Sequence, residues 1–300
     1  MKYARIEELR QQHPVAAMCR ILEVSESGYH AWRQRPPSAR TQENARLETE
    51  IKAAHQRTRE TYGPERLQSD LADHGIQTSV YRIKRIRTQP GLRCKQKRKF
   101  KATTNSSHAL PLAPNLLDRQ FAVAAPNRAW VTDITYVATD EGWLYLAGIK
   151  DLFNGELVGY AMSDRMITAL VSQALFRAVV AKHPAKGLSH HSDRGSQYCS
   201  HAYRKQLQQF GMLASMSRKG DCWDNAPMES FWGSLKNELV HHRRFATREQ
   251  AKREITEYIE PFYAPQEVPL GDNRIRKQAR LGYLSPAAFS QQYYAKQMAA

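Results

Sequence analysis

What this 300-residue chain lacks narrows the field before any motif is weighed. Its four cysteines, Cys19, Cys94, Cys199 and Cys222, fall at no paired spacing, so the chain suggests neither a disulfide framework nor a cysteine-type zinc site. A reducing cytoplasm suits them. Long apolar runs are missing too: stretches such as Leu144 to Ile149 are far too short to cross a bilayer, and the N-terminus lacks the apolar core of a signal peptide. Acid is missing where base is plentiful. No Asp or Glu occurs between Asp73 and Asp118, while Arg82, Lys84, Arg85, Arg87, Arg93, Lys95, Lys97, Arg98, Lys99 and Lys101 crowd that window.

The formal net charge of +16 gives a sequence-independent attraction to polyanions. Residues 1–119 hold 23 Lys and Arg against 12 Asp and Glu, so the surplus belongs mainly to the N-terminal part. A short charge run is an ordinary solvated face; ten cations without a counter-charge favour phosphate contact. Nucleic acid is the first partner to consider.

The N-terminal part reads as short helices. Ala16 to Leu22 is apolar at helical spacing, Val24-Ser25 reads as a turn with a serine cap, and Ser27 to Arg33 forms a second helix before Pro36-Pro37. That outline is helix-turn-helix, a pattern any small helical hairpin shares. A second outline follows: Leu47, Ile51 and Ala54 mark one helix, Glu65 to His74 another, and Thr78 or Ser79 caps a third through Arg87. In that third helix Val80, Ile83 and Ile86 face a core, and Arg82, Lys84, Arg85 and Arg87 face out. Such a helix could enter a DNA groove or only touch phosphates, which carry no sequence information. Ala102 to Pro126, rich in Thr, Asn, Ser and Pro, reads as a partly extended linker.

Beyond it the pattern turns to alternation. Ala129 to Ala138 reads as a strand with Asp133 opposite its aromatic face, Gly142 to Leu152 as a second, and Glu156 to Met162 as a third after the Asn154-Gly155 turn. A helix spans Thr168 to Lys182, and a strand from Gly187 to Ser192 delivers Asp193. Helix Ala202 to Phe210 and strand Met212 to Met216 complete a β-β-β-α-β-α-β order. The loop 217–226 feeds a helix starting near Pro227, with Glu229 in its first turn. This order is that of a ribonuclease-H-like α/β fold, a mixed sheet with flanking helices. The domains expected are 1–38, an N-terminal helical segment; 39–101, a basic helix-turn-helix-like DNA-binding region; 102–126, a linker; 127–245, the catalytic core; and 246–300, a helical and basic extension.

Singly, each of Asp133, Asp193 and Glu229 reads as a cap or a solvent-facing acid. Together they supply hard oxygen ligands from separate elements, which a pair of Mg²⁺ or Mn²⁺ ions roughly 3.5 to 4 Å apart requires. His190 and His191, adjacent on a strand, point to opposite faces and so suit core or hydrogen-bonding roles better than one shared ion. Trp223 reads as a packing residue ahead of one that stacks on a base from a flexible loop, and Gly195 and Gly220 as turn glycines or points of close backbone approach.

Three segments carry a resemblance: Trp130-Val131-Thr132-Asp133-Ile134-Thr135-Tyr136, His191-Ser192-Asp193-Arg194-Gly195-Ser196-Gln197-Tyr198, and Ser217 through Phe231 with its Asp224-Asn225-Ala226-Pro227-Met228-Glu229. With 35 residues between Asp193 and Glu229, the chain resembles the second-frame (OrfB) transposases of the insertion sequence three family, relatives of retroviral integrases in the DDE recombinase superfamily. The resemblance implies an integrase-type catalytic core preceded by helix-turn-helix-like segments. It implies that Asp133, Asp193 and Glu229 hold two Mg²⁺ ions, Mn²⁺ being tolerated, and that Lys236, seven residues after Glu229, touches the element's end. It further implies DNA cleavage and strand transfer at insertion-sequence ends, a homo-oligomer on DNA, and a fusion or complex with the first-frame (OrfA) protein in the bacterial cytoplasm at the nucleoid. The chain lacks heptads long enough for the zipper that the first-frame protein supplies.

After Phe262-Tyr263 the chain departs from the family pattern. Ala264 to Asp272 intervene before Asn273, and Gln278-Ala279-Arg280 stands where His-Ser-Ala is expected, which bears on DNA contacts near Arg274, Arg276 and Lys277. On the residues alone, two other readings stay open: a ribonuclease-H-like nuclease that only hydrolyses, and a DNA-binding regulator whose carboxylates are structural. A glycosidase would use paired acids as well, but gains nothing from a basic N-terminal third.

Overall fold

The computed structural model describes residues 2–95, 111–218, 221–260 and 276–299. The chain divides into two compact units, 1–50 and 51–300. In the first, α1 (Lys2–Leu9), α2 (Val15–Ile21) and α3 (Glu26–Gln34) close on a small core of Ile6, Met18, Cys19 and Tyr29. Helix α4 (Ala39–Arg57) begins in this unit and ends in the next.

In the second unit, α5 (Pro64–Asp73) starts with a proline in its first turn, where the missing N–H costs nothing. Helix α6 (Val80–Thr88) is capped by the Ser79 hydroxyl, which accepts from the Arg82 N–H at 3.2 Å. Ile83 and Ile86 are buried as their spacing predicts. Arg87 corrects the expectation that it faces outward. It is buried, with a guanidinium nitrogen 3.5 Å from the Cys94 sulfur, because position 87 lies beside the apolar stripe of this short helix.

The sheet is built from β1 (Ala129–Thr139), β2 (Gly142–Asp151), β3 (Leu157–Ser163), β4 (Ser189–Ser192) and β5 (Leu213–Met216), in the order β3-β2-β1-β4-β5. The first three strands form an antiparallel meander; β4 joins β1, and β5 joins β4, in parallel. Between them run α7 (Thr168–Lys182), the single turn α8 (Ser196–Cys199) and α9 (His201–Gln209). A 3-10 turn at Cys222–Asn225 leads into α10 (Ala226–Glu238), followed by α11 (Arg248–Tyr258) and α12 (Pro286–Met298).

Alternation sends each strand's side chains to two cores. Val131, Val137, Leu144 and Leu146 pack with Phe231, Trp232, Leu235 and Ile255 of α10 and α11 on one face. Trp130, Ala147 and Ile149 pack with Leu170, Ala174 and Leu175 of α7 on the other, where Tyr198 and Tyr203 join them. The mixed sheet with helices on both faces is the fold class expected from the sequence.

The stretch read as a linker is, from residue 111 onward, part of the core. The Pro114 carbonyl accepts from the Met216 N–H at 3.2 Å, the Leu116 N–H donates to the Ser215 hydroxyl at 2.9 Å, and Leu117 is buried. Strand β5 is an edge that needs covering, and Pro114 can accept there without owing an N–H donor of its own. Residues 102–110 of that stretch lie outside the described residues.

Candidate active site

Strands β1 and β4 are registered with Val131 opposite His191. Two residues further along each come Asp133 and Asp193, so backbone register brings these carboxylates to neighbouring positions. One Asp133 oxygen accepts from the Ile134 N–H at 2.8 Å, the other from the Trp232 indole N–H at 3.1 Å. One Asp193 oxygen accepts from the Gly195 N–H at 2.9 Å. Burial pushes the Asp133 carboxyl up to about 8; Asp193's negative charge adds to this, and Glu229's adds least.

Glu229 arrives on α10, in whose first turn a carboxylate meets the positive end of the helix dipole. Met228, Phe231, Trp232 and Leu235 turn into the core. Glu229 is exposed by surface area, yet enough of its hydration is lost to raise its carboxyl. It is the outermost of the three acids. Among the described residues, no three His, Cys, Asp or Glu side chains are gathered into a closed ligand set. Lys236, two turns on, lies with its ammonium 5.0 Å from the centre of the Tyr136 ring, where burial lowers its pKa and Asp133 opposes that shift.

Side chains pin the start of α10 in place. The Asn225 amide donates to the Thr132 carbonyl at 3.1 Å, one residue before Asp133. Buried Asp224 accepts from the Arg218 N–H at 2.8 Å and side chain at 2.9 Å, from Arg119 at 2.9 Å and from Asn115 at 3.0 Å. These donors, Arg218's first, hold its carboxyl far below the usual carboxylate range. The Lys150 ammonium, driven down to about 7 by burial, donates to the Pro227 carbonyl at 3.1 Å. Trp232 itself fits because the register partner of Asp133 on β2 is a glycine: a methyl group on Gly148 would meet the indole at 2.8 Å.

The structure therefore brings Asp133, Asp193, Glu229 and Lys236 to one region. Sequence reasoning does not single out Asp224, Asn225 and Trp232. The first two lie inside one of the three resemblance segments, and Trp232 sits one turn after Glu229. His190 and His191 are buried and hydrogen-bonded as expected, and burial lowers them to about 3 and about 4. The His190 ring lies 3.2 Å from the Tyr203 hydroxyl, and His191 lies 2.8 Å from that of Ser215. Trp223, read as a packing residue, is instead 68% exposed.

The basic residues behave differently. Arg82 is half-buried, Arg85 is exposed, and Lys84 pairs with Glu65 at 3.2 Å. Lys97, Arg98, Lys99 and Arg274 lie outside the described residues. Arg276 and Lys277 are interior ties and not DNA-facing cations. Arg276 grips Glu238 at 2.7 Å, and Lys277 donates to Ser69 at 2.8 Å and pairs with Asp73.

Family models match this chain at residues 42–100 (HTH-like domain), 123–222 (Integrase core domain) and 229–294 (Integrase core domain). It is 57% identical over 283 residues to the "Insertion element IS600 uncharacterized 31 kDa protein" of Shigella sonnei, covering 94% of this chain and 100% of that one. It is 39% identical over 291 residues to "Transposase InsF for insertion sequence IS3A" of Escherichia coli strain K12, covering 96% and 98%. Among solved structures, a simian T-cell lymphotropic virus intasome aligns at TM-score 0.41 and 14% identity over 66% of each chain. The HTLV-2 integrase catalytic core domain in complex with magnesium aligns at TM-score 0.37 and 16% identity, over 50% of this chain and 94% of that one.

Proposed function

The chain belongs to the insertion sequence three family of transposases, enzymes with an integrase catalytic core, and we propose that it cuts DNA at insertion-sequence ends and joins the freed 3′-hydroxyl to target DNA. The observation that carries this reading is the register of β1 and β4, which sets Asp133 beside Asp193 and makes each carboxylate feel the other.

That crowding also supports a divalent-metal site. The donors are hard oxygens, and Asp133's carboxyl is raised by burial and by the charge of Asp193, so a bound cation would relieve the repulsion. Asp133, Asp193 and Glu229 would hold two Mg²⁺ ions, with Mn²⁺ tolerated. When bound, they lower the pKa of the attacking water or 3′-hydroxyl and stabilise the leaving oxygen.

The chain's own residues do the rest. Asp133 would hold a cation as the carboxylate, and the Trp232 indole fixes one of its oxygens. Asn225 ties the helix bearing Glu229 to the strand bearing Asp133. Lys236 offers a cation beside Asp133 for a phosphate of the element end, and the basic α6 region adds backbone contacts with Arg82, Lys84 and Arg85. The protein acts as an oligomer on DNA in the bacterial cytoplasm, joined to the first-frame protein of its element.

The test incubates the full chain with labelled duplexes from the DNA flanking its coding sequence, with and without Mg²⁺. Nicked and joined products are expected from wild type. Asp193→Asn should yield neither while binding DNA and melting as wild type does. Cleavage by Asp193→Asn at the wild-type rate overturns the site assignment; hydrolysis by wild type without joined products favours a simple nuclease.

A further inference from the structure

Helices α2 and α3 are joined by four residues, Leu22-Glu23-Val24-Ser25. Glu23 takes the left-handed conformation with φ 52°, the Val24 N–H returns to the Cys19 carbonyl at 3.0 Å, and the Ser25 hydroxyl caps α3 by accepting from the Gly28 N–H at 3.0 Å. A short turn of this kind between two helices, backed by a third, is the architecture of a helix-turn-helix. Helix α1 supplies the backing through Ile6 and Tyr3, whose ring lies 6.3 Å from that of Tyr29.

The second helix divides cleanly into faces. Tyr29 is fully buried, and Trp32 leans against Tyr3 on the same side. Ser27, His30, Ala31 and Gln34, spaced i, i+3, i+4 and i+7, are all exposed on the other. Their chemistry is that of base edges: hydroxyl, imidazole and amide groups that donate and accept, and a methyl that packs on thymine. Exposed Arg20 and Arg35 bracket this face and suit phosphates. Helix α6 contrasts with it in its charge: Arg82, Lys84 and Arg85 crowd its outward side beside the exposed Tyr81.

We propose that residues 1–38 form a second DNA-reading unit, in which α3 enters the major groove and His30 and Gln34 read bases while α6 holds backbone. This rests on the transposase reading for which DNA is bound, but makes a separate claim about how sequence is recognised. A reading helix lays one face along the groove from its N-terminal residues onward; Ser27 opens that face, and His30 and Gln34 follow it at i+3 and i+7.

The test uses the full-length chain and a library of duplexes carrying twenty random base pairs, selected by wild type, by His30→Ala/Gln34→Ala, and by Ala31→Glu. All three substitutions lie at exposed positions, and a melt checks folding of each variant. Wild type should enrich a motif, and both variants should lose one block of it, with discrimination falling roughly 5- to 100-fold for each base-reading side chain removed. In His30→Ala/Gln34→Ala the dependence of binding on salt should stay unchanged; in Arg35→Ala its slope should fall by about 1. Variants that enrich the wild-type motif with wild-type discrimination overturn the proposal, as does a wild type that enriches none. Enrichment by wild type without metal-dependent cleavage would instead defeat the transposase reading and leave this one standing.

Discussion

The two strand-borne carboxylates and the helix-borne one are held by different physics. Asp133 lies on β1 and Asp193 directly follows the end of its parallel neighbour β4, so their separation is set by the ladder that pairs Val131 with His191. No single side chain controls it. Glu229 sits on α10, whose first turn is fixed by Asn225 to Thr132, by Lys150 to Pro227, and by Asp224 to Arg119 and Arg218. Two of the three acids are thus positioned by the backbone, and the third depends on side-chain ties that substitution can loosen.

The largest expected effect comes from the strand side. Asp133→Asn should bring cleavage to background, with the melt unchanged or raised above pH 8. The wild-type carboxyl is pushed up to about 8, so folding is disfavoured as pH rises from its unfolded pKa of about 4 through 8, and a neutral amide escapes that penalty. Cleavage assays and thermal melts on one preparation check both. A variant that cleaves normally would move the chemistry elsewhere.

Asp224→Asn tests the helix side. The amide keeps the shape but loses the charge that both guanidiniums bind. Because Arg119 and Arg218 are nearly half exposed, the cost should be about 2 kcal/mol, below that of breaking a fully buried pair. If the ties place Glu229, cleavage per folded molecule should also fall about 10- to 100-fold, and half-maximal activity should need more Mg²⁺. A lower melt with full activity per folded molecule would show that α10 finds its place without them.

These ties also mark where sequence reading stops. Helix α7 is legible to the residue, and β1, β4 and the three acids follow from alternation and motif, because each signal is local. The bond from Arg119 to Asp224 joins residues far apart in the chain and has no local signature. The same holds for the strap at 111–126: proline and asparagine there look like a linker until the uncovered edge of β5 is known. Arg276 and Lys277 read as surface cations, and only the fold reveals Glu238 and Asp73 waiting for them.

Acid should separate the two sides without any mutation. His190 on β4 is held to about 3, so the unfolded chain, with a histidine pKa of about 6.5, takes up a proton the folded chain refuses. Its contribution is present above pH 6.5 and is lost as pH falls toward 3, by up to a few kcal/mol. Over the same range Asp224 stays ionised. His190→Asn should flatten this part of the stability-pH curve, measured by urea unfolding between pH 7 and 4. An equally steep curve would place the acid sensitivity elsewhere.

The smallest effect should come from Trp232, where the two sides meet. Its indole N–H is a helix-borne donor to a strand-borne acid, and by favouring the charged form it lowers the pKa of Asp133 against the larger upward push of burial. Trp232→Phe removes the donor, so the carboxyl should hold its proton to higher pH. The acid limb of the cleavage-pH profile should then move to the alkaline side by a fraction of a unit, with a rate loss of a few-fold at pH 7. Gly148→Ala keeps the donor but puts a methyl 2.8 Å from the indole, which must tilt away. If the hydrogen bond matters, both variants should shift the profile in the same direction. If only packing matters, both should lower the melt by about 1 to 3 kcal/mol and leave the profile where it was, because a structural defect changes how much protein is folded and not the pH at which Asp133 lets go.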